Sequence, residues 1–221
     1  MTMSIIINPE LRAYIDPLTS DEYDALEQSI LTDGCRDPLV LWGDVLVDGH
    51  NRYGICQKHQ IPFNTIQNTK FQSMDDVHLW MIDNHLGRRS VSDFQRGVLA
   101  LRKKEILAAR QSEQKKSEQR PAPVNDAPHA DETPAEVPYN RELLARAARV
   151  SSATLGKIEK IQKTAAPELV EAVKTGVISI SAAAEVASLP SEKQIAAVSG
   201  GKKELRQAAK EVREARLPPK P

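Results

Sequence analysis

The sequence predicts an α+β domain followed by an all-α domain, and three observations carry the prediction. Short β-branched or alternating apolar runs bounded by turn residues cluster in the first third of the chain, at residues 5–7, 38–42, 45–47 and 63–67. Aromatic residues make up 4% of the 221 residues, so the core must be aliphatic and alanine-rich, which suits closely packed helices better than a thick β-sandwich. Between the two parts lies Gln111 to Pro138, with five prolines, many charges and almost nothing that could form a core. The predicted divisions are 1–110 for the α+β domain, 111–139 for a disordered linker, 140–216 for the helical domain and 217–221 for a frayed tail.

Ile5, Ile6 and Ile7 read as a strand closed by Asn8-Pro9, since proline cannot donate to a ladder. Thr19 and Glu22 have capping-box spacing, opening a helix from about residue 21 to 31 that Gly34 is placed to end. Pro38 to Trp42 and Val45 to Val47, separated by Gly43-Asp44, predict a hairpin. A glycine turn, a helix-compatible run through Gln60 and a strand around 63–67 follow. Ser73 to Leu86 reads as helix, and the Ser92/Gln95 box opens another through about Ala109. Beyond the linker come short alanine-rich helices, with a further box spacing at Ser191/Gln194. Leu205, Ala208, Ala209 and Val212 make a narrow apolar stripe on a final charged helix, expected to pack back on its own domain.

The net charge is zero overall but divided: −3 over residues 1–110, −3 over 111–139 and +6 over 140–221. A basic module joined by an acidic spacer to an acidic one points to a nucleic-acid reader with a separate effector part. Cys35 and Cys56 are the only cysteines, with no CxxC pair, so no zinc site is expected and a reducing compartment fits. No secretory leader or long apolar run is present, and the expectation is a cytoplasmic protein that engages no membrane.

Gly49 follows a strand and precedes a helix, where it can adopt positive φ and leave the amides of His50, Asn51 and Arg52 pointing outward. Such a helix start attracts anions, and Arg52 could add a bidentate fork to a phosphate. The structural alternative is that Asp48 caps the helix and Arg52 pairs with it.

Residues 140–162 have a helix-turn-helix layout. Leu143, Leu144, Ala147 and Ala148 form the expected buried face of the first helix, and Val150 plugs the turn. Ser151 is a natural N-cap for a second helix with Leu155 and Ile158 inward. Ser152, Ala153, Thr154, Lys157 and Lys160 then remain outside, suited to a major groove and its phosphates. Arg149 takes the turn position often held by glycine; it incurs strain if its φ is positive, a wider turn would avoid that, and from there it could touch phosphate. The expected DNA contacts are Arg149, Ser151, Ser152, Thr154, Lys157 and Lys160.

Leu26-Glu-Gln-Ser-Ile30, Gly34, Pro38-Leu-Val-Leu41 and Asp48-Gly49-His50-Asn51-Arg52, in that order, resemble the N-terminal domain of ParB-type partition proteins, the ParB/sulfiredoxin fold. Asp83-Asn84-His85-Leu86-Gly87-Arg88-Arg89 with Ser92 to Arg96 resembles a second block of that family. The resemblance implies a nucleotide phosphate site of Gly49, His50, Asn51, Arg52, Asn84, Arg88 and Arg89, for CTP or another nucleotide with Mg. Chromosomal ParB proteins have Gly-Glu-Arg-Arg at the turn, where this chain has His50 and Asn51 after Gly49. Sulfiredoxins carry a reactive cysteine where His50 stands, so their chemistry is not expected.

Pro167 to Leu189 resembles the helices after the reader motif in ParB and KorB-like DNA-binding domains. The implied protein is a DNA-binding, ParB-like factor in plasmid or phage partition, replication control or transcription regulation, associated with nucleoid or plasmid. Its implied partners are double-stranded DNA, a second copy of itself and a partition ATPase. The alternative is an enzyme of the same fold: a serine-kinase-like phosphotransferase, suggested by the Asp-Gly-His core with Glu10, Glu22 or Asp48 as activating carboxylate, or a nuclease.

Overall fold

Asn8 and Pro9 start a helix instead of merely closing a strand. The Asn8 side chain accepts from the Glu10 amide at 2.8 Å, and Pro9 sits where a helix has no use for an amide. Helix α1 (Pro9–Tyr14) therefore follows at once, and the strand predicted over Ile5 to Ile7 reduces to one parallel bridge between Ile6 and Val45. The computed structural model describes residues 4–87, 91–118 and 140–216 and divides into two compact units, Met1–Asn84 and His85–Pro221.

In the first unit, α2 (Ser20–Asp33) opens with the predicted capping box: the Thr19 amide donates to the Glu22 carboxylate at 2.9 Å and the Glu22 amide to the Thr19 hydroxyl at 3.3 Å. Strands β1 (Leu39–Trp42) and β2 (Val45–Asp48) form the expected antiparallel hairpin, with a register irregularity between Val40 and Leu41. Strand β3 (Thr65–Gln67) joins the other side of β1 in parallel, giving the order β2-β1-β3. Helices α3 (His50–His59) and α4 (Met74–Leu86) complete the unit. Alternation along the strands gives the sheet two apolar faces. Val47 packs with Leu11, Phe71, Val77 and Met81 of the α1 and α4 side, whereas its neighbour Leu46 packs with Leu39, Leu41, Tyr53 and Phe63. Helices α2 and α3 meet through Ile30, Ile55 and Cys56.

The second unit is all helix: α5 (Asp93–Glu118), α6 (Arg141–Ala147), α7 (Ser152–Thr164), α8 (Pro167–Lys174), α9 (Ile180–Val186), α10 (Ser191–Ser199) and α11 (Gly201–Arg216). The Ser92/Gln95 box forms as its spacing predicts. Helix α5 runs past the expected linker start at Gln111, because residues 111–118 contain neither proline nor glycine and are rich in good helix formers. Its Phe94 and Leu101 join one core with Leu144, Leu155, Ile158, Ile161, Leu169 and Leu205. The division between units thus falls at Asn84/His85, whereas the sequence placed it near residue 110. Gly97 permits the close approach of α5 to α7; a methyl there would collide with Ile158. The remaining linker, 119–139, and the tail, 217–221, lie outside the described residues.

Two readings within the helical unit also differ. The buried face of α6 is Leu144, Ala145 and Ala148, while Leu143 is 43% exposed and Ala147 is also exposed, so the helix is turned by about one residue. Gln194 does not cap α10. It is 1% exposed, its Oε1 accepts from the Ala166 amide at 2.8 Å, and its Nε2 donates to the carbonyls of Leu189 (2.8 Å) and Thr164 (3.1 Å). The N-cap of α10 is Pro190. Helix α11 packs back through Leu205 and Ala209, chiefly against α9. Among the described residues no helix is long and apolar enough to cross a membrane.

Candidate nucleic-acid interface and glycine turn

Gly49 is the N-cap of α3 with φ +97°, and a Cβ on it would stand 2.5 Å from Cδ2 of Leu39. Backbone conformation and packing both require glycine at this corner. No side chain caps α3, so the first amides of the helix, at His50 and exposed Asn51, have no intrahelical acceptor. Arg52 does not reach outward. Its guanidinium donates to the Asp48 carboxylate (3.0 Å) and to the carbonyls of Asp37 (3.0 Å) and Pro38 (3.4 Å), locking the approach to β1 onto the start of α3. The pairing alternative read from the sequence is the one present for Arg52, although Asp48 supplies no cap. Asn84 is half-buried on the last turn of α4, and Arg88 and Arg89 lie outside the described residues.

The His50 ring is half-buried and its Nε2 is buried with no hydrogen-bond partner. Burial, opposed by the Asp48 charge, aided by that of Arg12 and opposed again by the Leu46 carbonyl, holds its pKa below the usual histidine value. On acidification the unfolded chain takes this proton first, so the contribution of His50 to stability is present above the ordinary pKa of about 6.5 and is lost as pH falls through the depressed folded value. Thermal unfolding of the first unit, followed by fluorescence of Trp42 and Trp80, is expected to shift down on acidification across that range. His50→Gln should flatten the dependence; an equally steep pH profile in the variant would rule the assignment out.

In the second unit, Ala148 to Ser151 link α6 to α7. Asn140 caps α6 and Ser151 caps α7, its hydroxyl accepting from the Thr154 amide at 3.0 Å. The turn is a tight C-cap: the Arg149 amide donates to the Arg146 carbonyl and the Val150 amide to the Ala145 carbonyl. Arg149 has φ +55°, so the turn is not widened and the strain the sequence raised is real. Arg149→Gly is expected to raise the thermal stability of the helical unit, by about 1 kcal/mol, in far-UV circular dichroism melts. Arg96 was missed by sequence reasoning. From α5 its Nε donates to the Ala148 carbonyl at 3.1 Å, while its other nitrogens reach the Val91 carbonyl and Asp93, so one buttressed guanidinium holds the corner.

Leu155, Ile158 and Ile161 anchor α7 in the core. Ser151 and Ala153 are exposed, and Ser152, Thr154, Lys157 and Lys160 are half-exposed. Lys157 donates to the Ser181 hydroxyl at 2.9 Å and Lys160 to that of Ser188. A hydroxyl orients an ammonium without cancelling its charge. On another side of α7, Glu159 accepts from Lys163 and Arg141, in that order the main reasons its carboxyl sits below the usual range. The sequence contained no signal for Ser181 and Ser188 as partners, since they lie 24 and 28 residues away.

No protein-family model matches the chain, and comparison with curated proteins finds no match. Solved structures do match. The C2221 form of a pNOB8-like ParB N-domain superimposes with a TM-score of 0.55 at 17% identity, covering 84% of this chain and 76% of its own. A second pNOB8-like ParB N-domain structure gives 0.53 at 17% identity, covering 84% and 71%. The C-terminally truncated chromosome-partitioning protein ParB from Caulobacter crescentus, complexed to the centromeric parS site, gives 0.46 at 12% identity, covering 96% of each chain. The chain therefore shares the fold of pNOB8-like ParB N-domains.

Proposed function

We propose that this chain is a ParB-like protein that binds double-stranded DNA through α6 and α7, in plasmid or phage partition, replication control or transcription regulation. The observation that carries the reading is α7 itself. A capped, buttressed helix presents small side chains at its start and, further along, two lysines that donate to serine hydroxyls and have no carboxylate partner among the described residues. Small residues admit a helix to base edges and the cations meet phosphates. The likeness to ParB N-domains supports the same reading.

The test is capture of fragmented genomic or plasmid DNA by the full chain, followed by sequencing. A sharply enriched repeat is expected, with affinity that falls steeply with salt and is weakened by Lys157→Ala combined with Lys160→Ala. No retention of any duplex at low ionic strength overturns the reading. Arg149→Gly sharpens it, because a phosphate contact at Arg149 makes the more stable variant the weaker binder. The partners that accompany this function are a second copy of the chain and a partition ATPase.

A nucleotide with Mg at the glycine turn is the second part of the proposal. The uncapped amides of His50 and Asn51 are what favour an anion there. Arg52 is better matched to holding the turn, and Asn84, Arg88 and Arg89 remain candidates for the phosphates. Calorimetric titration with CTP, ATP and ADP in the presence of Mg, with and without DNA, measures this directly. Phosphoserine formation from free serine in the same mixtures would favour the phosphotransferase alternative.

A further inference from the structure

Helix α11 is divided around its circumference into three sectors. Leu205 and Ala209 are buried and Ala208 and Val212 partly so, forming the sector that packs on the unit. Lys202, Lys203, Arg206, Lys210 and Arg213 are all exposed. At the helical rotation per residue they fall within one sector about 100° wide. Glu204, Glu211 and Glu214 occupy the third. An ordinary solvated helix alternates charge at i, i+4, whereas Lys202, Arg206 and Lys210 repeat the same sign at that spacing, which disfavours the isolated helix. Of the five cations only Lys210 has a carboxylate partner among the described residues, Glu214 at 3.7 Å.

Helix α9 packs against both α11 and α7, so the sector lies one helix away from α7. Lys202 and Arg206 line a hollow of about 470 Å³ together with Ser179, Ile180 and Ala182 at the start of α9. Ser181, between the last two, receives Lys157 of α7. The cations run from Lys202 to Arg213, about 16 Å at 1.5 Å per residue, a span over which one strand of a duplex carries several phosphates. No apolar side chain interrupts the sector, which matches a phosphate backbone better than a protein partner with apolar anchors.

From this geometry we infer that the basic sector of α11 is a phosphate-backbone clamp, gripping duplex DNA beside the segment that α7 reads. The inference rests on the DNA-binding reading above. Because phosphates carry no sequence information, the clamp adds affinity equally to every duplex and leaves the choice of site to α7.

The test uses the full chain with Lys202→Gln, Arg206→Gln and Lys210→Gln combined, measuring affinity for a random-sequence duplex and for the enriched sequence over a range of salt. The slope of log affinity against log salt should become shallower by about 0.9 for each lost contact, or roughly two to three in all, with roughly tenfold or greater weakening at low salt on both duplexes. Lys202→Arg with Lys210→Arg should keep the parent slope. Should the triple variant misfold by circular dichroism, Lys210→Gln alone is read for a slope change of about 0.9. A folded variant with the parent slope overturns the clamp while leaving DNA binding by α7 intact. Loss of binding to polyglutamate with duplex binding unchanged also overturns it, and assigns the sector to an acidic protein. Failure of the parent chain to bind any duplex fails the DNA-binding reading itself.

Discussion

Replacing Gln194 by Leu is expected to destabilise the helical unit by about 3 kcal/mol, and far-UV circular dichroism melts should show it as a large fall in midpoint. The Gln194 amide closes three chain ends at once. The residue before α8 offers its amide, the end of α7 offers the Thr164 carbonyl, and the segment after α9 offers the Leu189 carbonyl; all are answered by a side chain 1% exposed. Leucine fills nearly the same space but removes every partner, so buried polar groups lose water and receive nothing in return. Gln194→Glu retains the acceptor for the Ala166 amide but turns a carboxylate oxygen toward the two carbonyls, and its loss should shrink at low pH as the carboxyl protonates. If Gln194→Leu melts with the parent midpoint, the staple contributes nothing to stability.

Gly49→Ala should destabilise the first unit by about 2–4 kcal/mol, combining the strain of a side chain at φ +97° with the overlap of its methyl on Leu39. Both tryptophans of the chain, Trp42 and Trp80, are in this unit, so its unfolding by urea can be followed by their fluorescence. Leu39→Ala in the same background is expected to make the cost of Gly49→Ala smaller, since it removes the clash and leaves the backbone strain. If the double-variant cycle shows no coupling, the strain is wholly conformational.

The parts legible in the sequence are those decided within a few residues. Thr19 and Glu22, or Ser92 and Gln95, meet across three residues, and the hairpin through Gly43-Asp44 closes on itself. Gly49 was legible as a turn because strand, glycine and helix-compatible residues adjoin. The rest depends on partners remote in sequence. Arg52 looked like a phosphate fork until the carbonyls of Asp37 and Pro38, 15 and 14 residues upstream, were seen to claim it. Arg96 reaches across 52 residues to the Ala148 carbonyl, and Gln194 across 28 to the Ala166 amide. The Ser191/Gln194 spacing suggested a local cap, and a buried long-range network displaced it. Helix α1 was hidden because Asn-Pro both ends strands and begins helices, and only the structure decides which.

The place of α5 sets how the chain can be dissected. A fragment beginning at Asn140 would lack Phe94, Leu101 and the guanidinium that holds the Ala148 corner, exposing the flank of Leu144 and Ile158. A fragment ending at residue 110 would carry the complementary apolar ridge with nothing to cover it, inviting self-association. Expression pieces cut at the proline-rich stretch should therefore precipitate or melt early, whereas pieces cut ahead of Val91 keep each core whole.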